Sequence, residues 1–332
     1  MKITVSPLDL QLKREFVIAT GRVKNKRNLI VVIEDIGIGE ASGSVFYGAN
    51  AGQIETELKV VADLADDLPL EAWPHFWEEH GGKLSSASRC ALSTAWYDYR
   101  AKKDNISLAE IMEFPEAKRC RTSLTVSIGD TGAIPEAANC GFKTVKIKLD
   151  NNTEIFESTH KALSEHPEIA IRVDANGSWD METARKFLDV FSDLKIELLE
   201  QPFKPENEPD WLKLKDMTDI PVIMDESVAT AEDVARAADL ADGVNIKLQK
   251  SGTLETAAGA INKAHELNMK TMLGCMIESS VGIATSWQFS EAVDFLDLDG
   301  RLLIVDDPFE GLVYDKGELY VEDNKGHGIS FA

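Results

Sequence analysis

The chain has 332 residues, with 57 acidic against 35 basic side chains and a formal net charge of −22. That charge disfavours nucleic acid and anionic membrane surfaces as partners, since both would repel it. No apolar run approaches the roughly 20 residues needed to span a bilayer. The start, Met1-Lys2-Ile3-Thr4-Val5, alternates like a strand and lacks the apolar core of a signal peptide. In chain order, strands are expected over residues 3–10, 28–34 and 37–41, and helices over about 54–67 and 86–101. This part, residues 1–120, reads as a small α+β domain. From about Thr122 short apolar runs alternate with amphipathic helices. The runs are 124–128, 144–149, 170–174, 197–200, 222–225, 244–246, 271–273 and 292–296, and the helices include 153–164, 181–191, 231–241 and 254–267. Strands with helical crossovers at this spacing predict a parallel α/β barrel over residues 121–303, with polar residues at the strand ends where such barrels place their chemistry. The tail, 304–332, returns to strand and turn and is expected to complete the first domain. Cys90, Cys120, Cys140 and Cys275 have no CxxC or zinc spacing, so reduced, mostly buried thiols in a cytoplasmic protein are expected.

Lys146 and Lys148 lie two apart in Thr144-Val145-Lys146-Ile147-Lys148-Leu149, so both ammonium groups leave one face of a strand. Two like charges on an apolar segment are costly unless anions stand near them. Asp174, Glu200 and Asp225 end the next three strands and supply those anions. Taken singly, each reads equally as a cap for the helix after it. Together they converge above the barrel mouth as hard oxygen ligands for Mg²⁺, with Mn²⁺ as a substitute. Asn176 and Glu226 read either as groups that orient those ligands or as structural polar residues.

Lys247, on the sixth barrel strand, faces Lys148 on the second from across the barrel. A substrate held between them would lose a proton from carbon on one face and regain one on the other. The resulting enediolate needs strong electrostatic stabilisation, from the metal and from Lys146. Closely spaced ammonium groups and a divalent cation are together expected to lower one lysine's pKa and make it a base.

These pieces resemble the enolase superfamily, muconate-lactonizing-enzyme-like subgroup, and within it the dipeptide epimerases. The matching segments are Lys146-Ile147-Lys148, Asp174-Ala175-Asn176, Glu200-Gln201-Pro202, Asp225-Glu226-Ser227 and Asn245-Ile246-Lys247-Leu248-Gln249-Lys250-Ser251-Gly252. Gly37-Ile38-Gly39-Glu40-Ala41 and Ala95-Trp96-Tyr97-Asp98 resemble segments of that family's capping domain. The resemblance implies a modified (β/α)7β barrel under an α+β cap, Lys148 and Lys247 as acid/base catalysts, and a magnesium triad of Asp174, Glu200 and Asp225. It implies Asp297 and Asp299 as the pair that holds a dipeptide's α-ammonium group, with Met276 and Glu278 shaping the cavity. Thr125 is a further pocket candidate. In relatives acting on Ala-Glu an arginine of the first loop grips the side-chain carboxylate. Here that loop, Thr20 to Arg27, places Val23 at the arginine's position, with Arg22 and Lys24 beside it, while Phe46 and Tyr47 would suit an apolar side chain. The expected activity is a Mg²⁺-dependent epimerisation of a dipeptide's C-terminal residue by two-base 1,1-proton transfer. N-succinylamino acid racemase, o-succinylbenzoate synthase and a non-catalytic peptide-binding role are the alternatives, and a homo-oligomer is left open.

Overall fold

A computed structural model describes residues 1–19 and 21–332; Thr20 and the side chain of Phe46 lie outside the described residues. Strands β1 (Ile3–Ile18) and β2 (Gly21–Ile33) form an antiparallel hairpin far longer than the expected segments, so residues 21–27 are strand and not loop. Lys13, Arg14, Glu15, Arg22 and Lys24 are all exposed on its outer half. With neither face of that half fully buried, no clean alternation marks it as a strand. β3 (Gly37–Ala41) completes the sheet and lies flat on the Ser86–Asp104 helix. Gly37 and Gly39 permit that contact: a Cβ at either would run into the carbonyl oxygen of Ala95 or Ala91. The Ala51–Ala65 helix begins at Asn50, whose side chain accepts from the Gln53 N–H, and shares a core with the sheet through Leu29, Val31, Ile54 and Leu58.

After β4 (Cys120–Arg121) come eight parallel strands. They are β5 (Leu124–Val126), β6 (Thr144–Lys148), β7 (Ala170–Asp174), β8 (Ile196–Glu200), β9 (Val222–Met224), β10 (Gly243–Ile246), β11 (Lys270–Gly274) and β12 (Phe295–Asp297). Their order in the sheet is their order in the chain, and each neighbours the next. The ring is nearly closed: Ser123 N–H donates to Leu296 O at 3.3 Å across the seam between β5 and β12. Residues facing outward, such as Val145, Ile147, Ile171 and Val173, pack with the surrounding helices in one apolar core.

Inward-facing residues change character along the barrel axis. Leu198, Ile223, Met272 and Phe295 form an apolar floor. Arg172 plugs it, pairing with Glu197 at 2.5 Å, donating to Leu296 O at 2.6 Å and lying 5.1 Å over the Phe295 ring. Above the floor the inward side chains at the strand ends are polar, except at Gly274 of β11, where a Cβ would run into the Asn245 and Lys247 side chains. The tail adds β13 (Phe309–Glu310), β14 (Leu312–Asp315), β15 (Glu318–Val321) and β16 (Ser330–Phe331); β14 and β15 join β4 in a small sheet, and β13 pairs with β16.

Candidate active site

Ladder register sets the site. Lys148 is the cross-strand partner of Asp174, and Asp174 of Glu200, so the three side chains leave adjacent strands at one level. Asp225 follows the last residue of β9, one step further round the ring. The chain then turns sharply: Asn176 and Gln201 adopt left-handed backbone, with φ of 46° and 41°. These turns bring the next residues back as supports. Asn176 N–H donates to Asp174 Oδ1 at 2.9 Å. Gln201 Oε1 accepts from the N–H groups of Asp225 and Glu226 at 2.7 and 3.0 Å, tying the end of β8 to the end of β9.

Lysines hold the carboxylates together. Lys146 Nζ lies 2.6 Å from Glu200, 2.8 Å from Asp297 and 3.0 Å from Asp174. Lys148 lies 2.6 Å from Asp174, and Lys247 lies 2.8 Å from Asp225. Sequence reasoning gave no role to Lys250, although it is buried and donates to Asp225 Oδ1 at 2.5 Å and to Asn245 O at 3.0 Å. Asn245 in turn donates to Glu200 Oε1 at 2.8 Å. Buried charges are tolerated only when paired in this manner.

The pairing governs protonation. Burial raises the Asp174 carboxyl, but Lys146, Lys148 and Lys247 outweigh it and hold Asp174 well below the usual range; Lys247 and Lys250 do the same for Asp225. Burial opposes the charges of Lys146 and Lys247, yet the carboxylates around them raise both well above a free lysine. Among the protein's own groups the carboxylates thus outweigh the crowding of ammonium groups at Lys146 and Lys247, each of which has a carboxylate within 3.0 Å. Burial and Asp225 push Glu226 up to about 8, and burial and Asp297 push Asp299 up to about 6.

Among the described residues no three His, Cys, Asp or Glu side chains are grouped as a ready-made metal cage, because ammonium groups stand between the carboxylates. The donor chemistry nevertheless suits a hard cation. Asp174, Glu200 and Asp225 offer only oxygen. The Oε2 atoms of Glu200 and Glu226 are buried without a hydrogen bond, the former with the Lys146 ammonium off its bonding direction at 2.6 Å. A buried acceptor without a hydrogen bond, as at Glu226 Oε2, is costly unless a cation meets it.

A cavity of about 450 Å³ lies between the barrel mouth and the hairpin. Of the residues expected there, Lys146, Lys148, Lys247, Asp225, Asp297, Asp299, Thr125 and Met276 line it. Asp174 and Glu200 lie buried behind the lysines. Glu278 is also buried, accepting from Met276 N–H and Gln249 Nε2. Asp297 accepts from Ser123 Oγ at 2.5 Å, and Asp299 from Thr125 N–H at 2.6 Å. Arg22 and Lys24 do not line the cavity: they point to the outer face of β2, where Arg22 meets Glu15 at 3.6 Å. From the same strand Val23, Asn25 and Lys26 do line the cavity. Tyr47 lines it as well. Of the cysteines only Cys90 is buried; Cys120 and Cys275 are half-buried and Cys140 is exposed, all as free thiols. No helix among the described residues is long and apolar enough to cross a membrane.

The profile of the enolase C-terminal domain-like family matches residues 133–332. The chain belongs to that family. Among its relatives, the L-Ala-D/L-amino acid epimerase of Flavobacterium johnsoniae is 29% identical over 99% of both chains. The L-Ala-D/L-Glu epimerase of Bacteroides thetaiotaomicron is 32% identical over 99% of this chain and 88% of its own. Among solved members, the dipeptide epimerase of Enterococcus faecalis, complexed with Mg and L-Leu-L-Tyr, superposes with a TM-score of 0.90 at 25% identity, covering 99% of each chain.

Proposed function

We infer that the chain is a dipeptide epimerase, an isomerase that inverts the α-carbon of a dipeptide's C-terminal residue. One observation carries the reading: Lys148 and Lys247, both lining one cavity, stand on β6 and on the residue after β10, four positions apart in a ring of eight strands. They therefore face a bound α-carbon from opposite sides. Asp297 and Asp299, at the end of β12, supply the anionic site for the α-ammonium group. An N-succinyl substrate has no cation to offer that pair, which sets the racemase and synthase readings aside.

Asp174, Glu200 and Asp225 would hold Mg²⁺, with Mn²⁺ able to replace it. Bound there, the ion supplies Lewis-acid charge against the substrate carboxylate. Lys146, paired with three carboxylates, stays protonated and meets the negative charge that develops as the α-proton leaves. One of Lys148 and Lys247 accepts that proton while the other donates to the opposite face, and the roles exchange for the reverse reaction. Gln201 and Lys250 fix Asp225. A cap of residues 1–120 with 304–332 over a barrel of 121–303, in the cytoplasm, completes the proposal.

The test is a dipeptide library incubated with enzyme and Mg²⁺ in D₂O. Mass spectrometry is expected to find deuterium at the α-carbon of the second residue, with both epimers formed. Absence of exchange from every dipeptide, with Mg²⁺ binding established by calorimetry, sinks the assignment.

A further inference from the structure

The barrel seam carries a second cavity, of about 290 Å³, formed where the hairpin crosses β5 and the segment after β12. The sheet ladder ends at β5 on one side and β12 on the other. The seam is instead stitched by Ser123 N–H to Leu296 O at 3.3 Å and by Leu298 N–H to Thr122 Oγ1 at 2.7 Å. Above it, a break in register between Gln11 and Phe16 bulges β1 away from its partner strand. Leu12, Phe16, Leu124, Leu302 and Leu303 give the cavity apolar walls.

Its charged rim is largely paired. Arg14 reaches Glu136 at 2.7 Å and Asp130 at 3.3 Å, and Glu15 meets Arg22 at 3.6 Å. Phe16, Thr125 and Leu303 line both this cavity and the catalytic one, so the two meet there. Thr125 is also the residue whose N–H donates to Asp299 at 2.6 Å. The junction therefore stands beside the acid pair assigned to the α-ammonium group.

We propose that the seam cavity is the side-chain subsite for the first residue of the dipeptide, and that it takes a large apolar side chain. This rests on the epimerase reading and on Asp297 and Asp299 anchoring the ammonium group. The ammonium and the side chain of that residue branch from one carbon, each about 1.5 Å from it. Anchoring the ammonium beside Thr125 thus places the start of the side chain at the junction. One direction from that carbon leads on to Lys148 and Lys247, and the peptide bond takes it. The seam offers the side chain apolar walls, and burial there is favourable.

Exchange of Xaa-L-Ala dipeptides, with Gly, Ala, Leu or Phe as Xaa, tests the subsite in the Mg²⁺-loaded enzyme. The wild type is expected to use the Leu and Phe members with kcat/KM at least about tenfold above the Gly member. Leu302→Trp, which fills the seam cavity, should lower kcat/KM for Phe-L-Ala at least tenfold more than for Gly-L-Ala. Leu302→Ala should move the preference toward larger first residues. Equal kcat/KM across the wild-type series overturns the proposal, as does an equal loss for every member in a folded Leu302→Trp enzyme. Exchange with no dipeptide at all would instead overturn the epimerase reading, and the subsite with it.

Discussion

Lys148 and Lys247 differ in what surrounds them, and the difference is open to measurement. Lys247 is held protonated by Asp225 at 2.8 Å, inside a network that also contains Lys250. On the proposed mechanism each lysine serves one side of the α-carbon, so Lys247→Ala would remove proton transfer on one face only. Loss of a general acid or base costs about 10²- to 10⁴-fold. Deuterium exchange from one epimer should therefore fall at least about a hundredfold further than exchange from the other. Equal loss from both epimers would mark Lys247 as structural. The lysines and the three carboxylates were legible in sequence because each lies on or directly after a barrel strand, where period-two alternation fixes its direction, whereas the acid pair at and after β12 was marked only by the family resemblance. Lys26 was not legible. It lines the cavity from the outer half of the hairpin, where no buried face leaves an alternation from which its direction could be read.

At the scale of elements, the eight barrel strands were readable to within a few residues, since each is an apolar run bounded by helical periodicity. The hairpin was not, because its outer half has no buried face. The hairpin instead gains its place from tertiary contacts: Ile128 N–H donates to Val17 O at 3.2 Å, and Val305 N–H to Gln11 O at 2.8 Å. β3 is fastened differently. Its Glu40 is buried and accepts from Ser279 N–H and Oγ, from Gly282 N–H and from Asn28 Nδ2, so a sheet residue caps the Ser280–Trp287 helix of the barrel. Glu40→Ala would strand these donors in a buried interface. The expected loss of unfolding free energy is about 3 kcal/mol, from unsatisfied groups costing roughly 1–3 kcal/mol each. Urea titration measures it, and a loss below about 0.5 kcal/mol, the range of neutral surface changes, would show that the cap does not hold the two elements together.

The tail ties the whole molecule together, and its anchor is a histidine. His327 is fully buried; its backbone N–H donates to Asp98 Oδ1 at 2.9 Å, and its Nδ1 accepts from Ile329 N–H at 3.1 Å. Its Nε2 lies 3.0 Å from Ile38 O on β3, so the neutral ring with the proton on Nε2 satisfies both contacts. Protonating Nδ1 would destroy the acceptor that Ile329 uses. Burial lowers the ring to about 4, even with Asp98 at 3.3 Å to favour the charged form and Lys102 opposing it. The folded pKa lies below the unfolded one, near 6.5, so the unfolded chain binds the extra proton between them. Stability from this group is complete above pH about 6.5 and drains away as pH falls toward about 4. Glu40 runs the other way: burial and Glu278 raise it to about 7, so its contribution declines as pH rises through that value. His327→Asn separates the two, because it removes only the acid-side loss. The stability gap between wild type and His327→Asn is expected to be flat above pH about 7 and to shrink by about 3 kcal/mol on going to pH 4. Urea unfolding across that range, with the tail's attachment followed by hydrogen exchange at Ile329, decides it: a gap independent of pH would mean that His327 keeps its ordinary titration in the folded chain.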